Sequence, residues 1–266
     1  MGRNTAFSLT VLGARGSMAV CGKDTALFGG ATSCYMVQAG QQTLFLDAGT
    51  GLLSAPVDFD VPPVILLSHL HLDHVLGLGM YARLSQKGKK TNIFLPAGDK
   101  PSAEELLNRL YEPPYWPLHL EDYAGDVDIQ ALQLPMQIGE VTVEGMPGSH
   151  PGGCMVFKIS HEGRSLVYAT DFEHGTEASA RLAAFAKDAD LLLYDAQYTP
   201  ARYEACRGFG HSTAEEGIAL IAACGAKRLL LVHHDPKSTD AQLSERETAI
   251  GRADVRFARE GEVISL

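Results

Sequence analysis

The stretch VILLSHLHLDHVLG, residues 64–77, places His69, His71, Asp73 and His74, all able to bind a metal, directly behind a run of pure hydrocarbon. Val64, Ile65, Leu66 and Leu67, preceded by Pro62 and Pro63, have the length and composition of a short strand buried on both faces. The cluster therefore stands at a strand's end. If the chain stays extended past Ser68, side chains at i, i+2 and i+4 point the same way, so His69, His71 and Asp73 converge. A turn at Asp73 then brings His74 alongside. On a helix only His69 and Asp73 would share a face, so the spacing favours strand, then loop, with helix afterwards. Three imidazoles and a carboxylate suit a borderline divalent ion such as zinc, and the number of groups can serve two ions. A chance histidine-rich loop is the weaker reading, because imidazoles packed this densely need partners for their ring nitrogens.

The rest of the chain sets bounds. Its 266 residues, 45% hydrophobic and 20% charged, are ordinary for a globular protein, and no segment has the apolar length to cross a bilayer. Gly and Pro are spread as turn punctuation, with no linker or low-complexity tract, so one domain is expected over 1–266, built of two similar halves, about 1–135 and 136–266. The N-terminal segment has no secretory h-region, and Ala6 breaks the myristoylation pattern. Cys21, Cys34, Cys154, Cys206 and Cys224 show no paired spacing and read as small hydrophobes in a reducing, cytoplasmic setting. A net charge of −10 disfavours a large nucleic-acid partner. Oligomeric state stays open, a homodimer included.

Along the chain, FSLTVLG, SCYMVQAG, QTLFLDAG, TNIFLP, VTVEGM, CMVFKIS, SLVYATD, ADLLLYD and KRLLLVHH read as strands. Helices are expected from about His74 to Ser85, after a Ser102/Glu105 capping box, and after a Ser212/Glu215 capping box with Gly225 as its stop. This grammar suggests an α/β fold of two packed sheets with helices outside. Further ligands should stand where other strands end. His150 follows VTVEGMPGS, Asp171 follows SLVYAT, and His233 ends RLLLV. Adjacent strand residues face opposite ways, so only one of His233 and His234 should reach the site.

The order His69-x-His71-x-Asp73-His74, then His150, Asp171 and His233, resembles the metallo-β-lactamase-fold hydrolases, from Asp47 to His233. The LDAGTG stretch is similar to that superfamily's first motif, with Asp47 steadying the histidine loop. GHSTAEEG and LLLVHHDP resemble the phosphodiesterase and ribonuclease Z branch. The Glu that diiron relatives carry at the place of His71 is absent, as is the Cys ligand of some zinc β-lactamases. The resemblance implies a four-layer αββα sandwich of two mixed sheets. It also implies two divalent ions, zinc foremost with Mn²⁺ or Fe²⁺ as alternatives: His69, His71 and His150 on one, Asp73, His74 and His233 on the other, and Asp171 bridging.

Hydrolysis would then run through a metal-bridging hydroxide, with water's pKa lowered from 15.7 towards about 7. Asp73 and His211 are the candidate catalytic residues, and by resemblance His211 serves the leaving side. Asp195, ending ADLLLYD, is a candidate to orient a ligand imidazole. Arg15, Arg202 and Arg207 are candidates for phosphate oxygens. Trp116 either closes over a substrate ring or packs into the core. His119, His161 and His174 have no converging partners in sequence and read as surface residues. The expected substrate is a small anionic ester, foremost a small or cyclic nucleotide-type phosphodiester. No long RNA-gripping arm fits between His150 and Asp171. Lactone, thioester or carboxylic ester hydrolysis is the alternative, and a non-catalytic metal- or nucleotide-binding protein a third reading.

Overall fold

The computed structural model describes residues 7–266; the reading of the N-terminal segment, Ala6 included, lies outside the described residues. The first sheet is built from β1 (Phe7–Gly13), β2 (Cys34–Ala39), β3 (Gln42–Leu46), β4 (Val64–Leu66), β5 (Lys90–Leu95) and β6 (Asp126–Ala131). The second follows with β7 (Met136–Ile138), β8 (Val141–Pro147), β9 (Met155–His161), β10 (Arg164–Ala169), β11 (Leu191–Asp195), β12 (Leu229–Val232) and β13 (Val255–Phe257). The last strand, β14 (Val263–Ser265), returns to pair antiparallel with β1, giving two seven-stranded sheets ordered β14-β1-β2-β3-β4-β5-β6 and β13-β12-β11-β10-β9-β8-β7. In each, four strands run parallel, β3 to β6 and β10 to β13, and the others antiparallel.

The uninterrupted apolar runs are explained by two-sided burial. Leu44, Leu46, Val64 and Leu66 meet Leu191, Leu193, Leu230 and Val232 between the sheets. The alternate residues Phe45 and Ile65 face outward under α2 (Lys100–Asn108). Leu192, Leu229 and Leu231 face outward under α3 (Glu177–Phe185), α5 (Ala214–Cys224) and α6 (Asp240–Ile250). The layering is αββα, as the resemblance implies. Four cysteines are buried and unpaired, and Cys21 is exposed.

Several local expectations are corrected. In place of a helix over 74–85 there is α1 (Leu72–Val75), one turn long, followed by 3-10 turns at Leu78–Met80 and Ala82–Ser85. The reason is competition for backbone groups. The His74 carbonyl accepts from Ala48 N at 2.7 Å and Gly77 N donates to the Ala48 carbonyl at 2.9 Å, which takes both out of an i, i+4 ladder. The next helix is capped by Asp99, whose carboxylate accepts from Ser102 N, and α5 by Thr213, which accepts from Glu216 N. Each cap lies upstream or downstream of the serine expected from sequence. Gly225 does end α5, in the left-handed conformation.

Candidate metal centre

Parallel registers bring the carboxyl ends of several strands level. Leu46 pairs with Leu66, and Asp195 with Val232, so Asp47, Ser68, Asp171, Asp195 and His233 emerge along one edge of the two sheets. The loop after β8 adds His150. Open α/β sheets place their ligands at such strand ends. Asp47, Asp171 and His233, with Ser17 from the loop after β1, all have φ between 50° and 61°. Non-glycine residues pay for this left-handed backbone, and the neighbouring contacts show what it serves.

Two triads of donor atoms form there, His69 with His71 and His150, and Asp73 with His74 and His233. Asp171 lies between them. Its Oδ1 is 3.6 Å from His150 Nε2 and 3.9 Å from His69 Nε2. Its Oδ2 is 3.1 Å from His74 Nε2 and 3.3 Å from His233 Nε2.

The imidazoles are turned by a fixed outer set of partners. Asp47 accepts from Ser68 N and from the Ser68 hydroxyl, from the Tyr168 hydroxyl at 2.7 Å and from His74 Nδ1 at 2.7 Å. Because the Ser68 proton is spent on Asp47, Ser68 Oγ can only accept from His69 Nδ1, 3.0 Å away. His150 Nδ1 donates to the Gly210 carbonyl at 2.9 Å. In the neutral form of each of these three rings the outward nitrogen carries the proton, which leaves Nε2 as a lone pair aimed inward for a cation.

These residues fit metal ions. His69 Nε2 is buried without a hydrogen-bond partner, a cost that a cation removes, and His74 Nε2 is buried facing the oxygens of Asp171 and Asp73 at 3.1 and 3.2 Å. His71 Nδ1 and His150 Nε2 stand 3.0 Å apart, near the edge of about 3.3 Å expected of a tetrahedron with zinc–nitrogen bonds of about 2.05 Å.

The electrostatics differ between the triads. Burial, with His74 adding to it, pushes His69 well below the ordinary imidazole range, and burial lowers His150. Burial opposes charge at His74 too, yet Asp171, Asp73 and Asp47 outweigh it and hold that ring well above its usual value. His233 is likewise raised, to about 9, against its burial, by Asp171 and Asp73. Burial would neutralise Asp73 and Asp171, but the facing histidines keep both well below the carboxylate range.

Asp195 accepts from Asp171 N, Gln197 N, Ser212 N and, at 2.8 Å, from His211 Nδ1. Its carboxylate thus ties His211 to the backbone of Asp171. The His211 ring stacks on His233, centroids 4.8 Å apart. A cavity of about 480 Å³ is lined by His71, Asp73, Asp171 and His211 together with Ser17, Leu70, Leu72 and Leu110. His234 turns the other way. It lies between Phe28 and Phe257, donates to the Ala258 carbonyl and is driven by burial down to about 3.

The expected substrate contacts do not gather here. Arg15 is fully buried and donates to the carbonyls of Gly29, Asp235 and Ser238, so it locks loops and presents no charge to the cavity. Arg207 is exposed and paired with Glu204 above the Tyr203 ring. Arg202 is exposed on α4 (Pro200–Cys206) and is absent from the cavity lining. Trp116 donates to Tyr123 and packs edge-on against Tyr111, outside that lining. His161 is buried against Phe7 instead of lying at the surface, and His174 is half-buried on Tyr203, bonded to the Ser212 hydroxyl. His119 is half-buried, 3.7 Å from Glu112.

Sequence reading passed over Gly16, Ser17, Tyr168 and Gly210. Ser17 N donates to Asp73 Oδ2 at 2.6 Å. A Cβ on Gly16 would lie 2.2 Å from His233 Nδ1, and one on Gly210 2.1 Å from His150 Nδ1, so both rings approach bare backbone. Only the glycines in GARGS and RGFGHS hinted at this.

Comparison with known proteins agrees with this architecture. Residues 42–234 match the family model described as a β-lactamase superfamily domain. The chain is 29% identical to a ribonuclease Z of Ignicoccus hospitalis over 242 residues, covering 73% of this chain and 79% of the relative. It is 26% identical to the probable metallo-hydrolase YhfI of Bacillus subtilis, covering 87% and 91%. A crystal structure described as a new diphosphatase from the PhnP family superposes with a TM-score of 0.72 at 19% identity, covering 98% of each chain. With most of its length inside the family model and both sheets shared with solved relatives, this chain belongs to the β-lactamase superfamily, as a hydrolase of the metallo-β-lactamase fold.

Proposed function

We propose that the protein is a dinuclear-metal phosphodiesterase acting on a small or cyclic nucleotide-type diester. The observation that carries this reading is the division of Asp171, one oxygen towards each donor triad. Two divalent ions, zinc foremost by the donor chemistry, would supply Lewis acidity and an activated water when bound. His69, His71 and His150 would hold one, Asp73, His74 and His233 the other, with Asp171 shared.

The chain's own residues do the rest. Asp47 and Ser68 fix the ring orientations, and Ser17 N fixes the Asp73 carboxylate. Asp195 accepts from His211 Nδ1, which leaves Nε2 facing outward as the nitrogen that, in the doubly protonated ring, would give its proton to the leaving oxygen and revert to a lone pair. The preference for a phosphoryl centre draws on the names of the relatives, a ribonuclease Z and a diphosphatase. Those names also favour a second reading, RNA cleavage. Against it stand the −10 charge and the stretch between His150 and Asp171, which is taken up by the β9–β10 hairpin, leaving no room for an arm to grip folded RNA.

The test couples metal content to turnover of chromogenic phosphodiesters, phosphomonoesters and lactones. Two ions per chain with diester turnover is the expected result. Lactone turnover alone would overturn it in favour of a carboxylic ester hydrolase.

A further inference from the structure

Beside the centre lies a second cavity, of about 310 Å³, bordered by Ser68, His69, the Gly152–Gly153 turn and Cys154 and otherwise by Leu70, Pro96, Leu106 and Met155. Leu70 also lines the larger cavity that holds His71, Asp73, Asp171 and His211, so the two spaces adjoin at that side chain. Neither lining contains a lysine or an arginine. The arginines that could have supplied charge are buried or turned elsewhere, Arg15 inside the fold and Arg207 onto Glu204.

We infer that this second cavity is a subsite for an apolar substituent, an aryl or alkyl group, on a singly charged phosphodiester; the inference rests on the phosphodiesterase reading above. A substrate with a second phosphate would need a further cation to offset the cost of bringing its extra charge out of water, and the lining offers none. An apolar group instead gains by displacing water from Leu70, Pro96, Leu106 and Met155. Gly152 and Gly153 carry no side chain into the space, and both adopt left-handed backbone, φ 83° and 85°, that a larger residue would strain. His211 borders the larger cavity and not this one, so the group held here is the substituent that stays on phosphorus while the leaving group departs towards His211.

The experiment compares kcat/KM of the zinc-loaded full chain for methyl p-nitrophenyl phosphate and phenyl p-nitrophenyl phosphate, each normalised to its uncatalysed hydrolysis. The two share a charge and a leaving group. The phenyl diester should be preferred by about tenfold to a hundredfold, the gain expected for burying a ring. Leu106→Gln should cut that ratio about fivefold or more, because it puts an amide where the ring would lie. Equal normalised turnover of the two diesters in the unmodified protein overturns this inference alone. Turnover of neither, with both ions bound, overturns the phosphodiesterase reading and this inference with it.

Discussion

The two donor triads sit either side of one aspartate, yet they are held differently. His69, His71 and His150 are all imidazole, two of them lowered by burial, and are oriented by a serine hydroxyl and a backbone carbonyl. Asp73, His74 and His233 include a carboxylate, both rings are raised, and the braces are the Asp47 carboxylate and the Ser17 amide. In the first triad His69 and His150 offer neutral lone pairs to a cation. The second is anionic enough to collect protons when no cation is present, so there a metal competes with hydrogen ions. The contrast predicts unequal loading: the second triad should fill more tightly near neutral pH and lose its ion more steeply as pH falls.

The largest effect should come from the residue the triads share. Asp171→Ala should empty both and reduce activity to background, with metal content by mass spectrometry below half an ion per chain on the order of equimolar loading. Retention of two ions would end the idea of a shared carboxylate. Next comes the asymmetry itself. His71→Ala should keep about one ion per chain, since the anionic triad is intact, while Asp73→Asn should lose that tight site; each should lower kcat about a thousandfold. Equal residual metal in the two variants would break the comparison.

His211→Ala sharpens it from the other side. His211 touches Asp195 and stacks on His233 without belonging to either triad, so two ions should remain while kcat falls about a hundredfold. Unchanged diester turnover would remove the leaving-group role. Asp47→Asn is expected to be milder. It keeps an oxygen for Ser68 but weakens the charge-assisted bond to His74, costing about tenfold to a hundredfold in affinity for the second ion, read by chelator competition.

How much of this was visible in sequence depends on where a residue's partners lie. The strands β3, β4, β11 and β12 announced themselves because both faces are buried and the code is hydrocarbon alone. The metal-binding types at their ends, His69 to His74, His150, Asp171 and His233, were legible for the same reason: strand ends converge on one edge. β6, β7, β13 and β14 were not read, since DVDIQA carries alternating charges and the other three strands have only three residues each. α3, α4 and α6 went unread as well; α6, for example, is mostly polar with Leu243 as its one buried residue. The one-turn α1 could not be foreseen, because its backbone bonds go to Ala48, some 26 residues earlier than His74. The Arg15 reading failed for a related reason. A buried guanidinium satisfied by three carbonyls looks, in sequence, like any loop arginine.

The neighbours His233 and His234 carry the comparison to its finest scale. Left-handed backbone at His233 turns its ring among carboxylates, and the next ring enters an aromatic pocket. His234 has a folded-state pKa of about 3, far below its unfolded value of about 6.5. Its neutral form is the one the fold favours, so its contribution is fully present above the unfolded value and is lost as pH falls from there towards the folded one. His233, raised to about 9, has the opposite sign: in metal-free protein it stabilises below the unfolded value and loses that effect as pH rises through about 9. Denaturant midpoints of metal-free protein should therefore fall on acidification, with His234 accounting for about 2 kcal/mol between about pH 6.5 and 5. His234→Gln keeps a donor for the Ala258 carbonyl and cannot titrate, so it should flatten that acid limb and leave the alkaline one unchanged. Parallel pH profiles for the two proteins would show that His234 does not feel its burial as described.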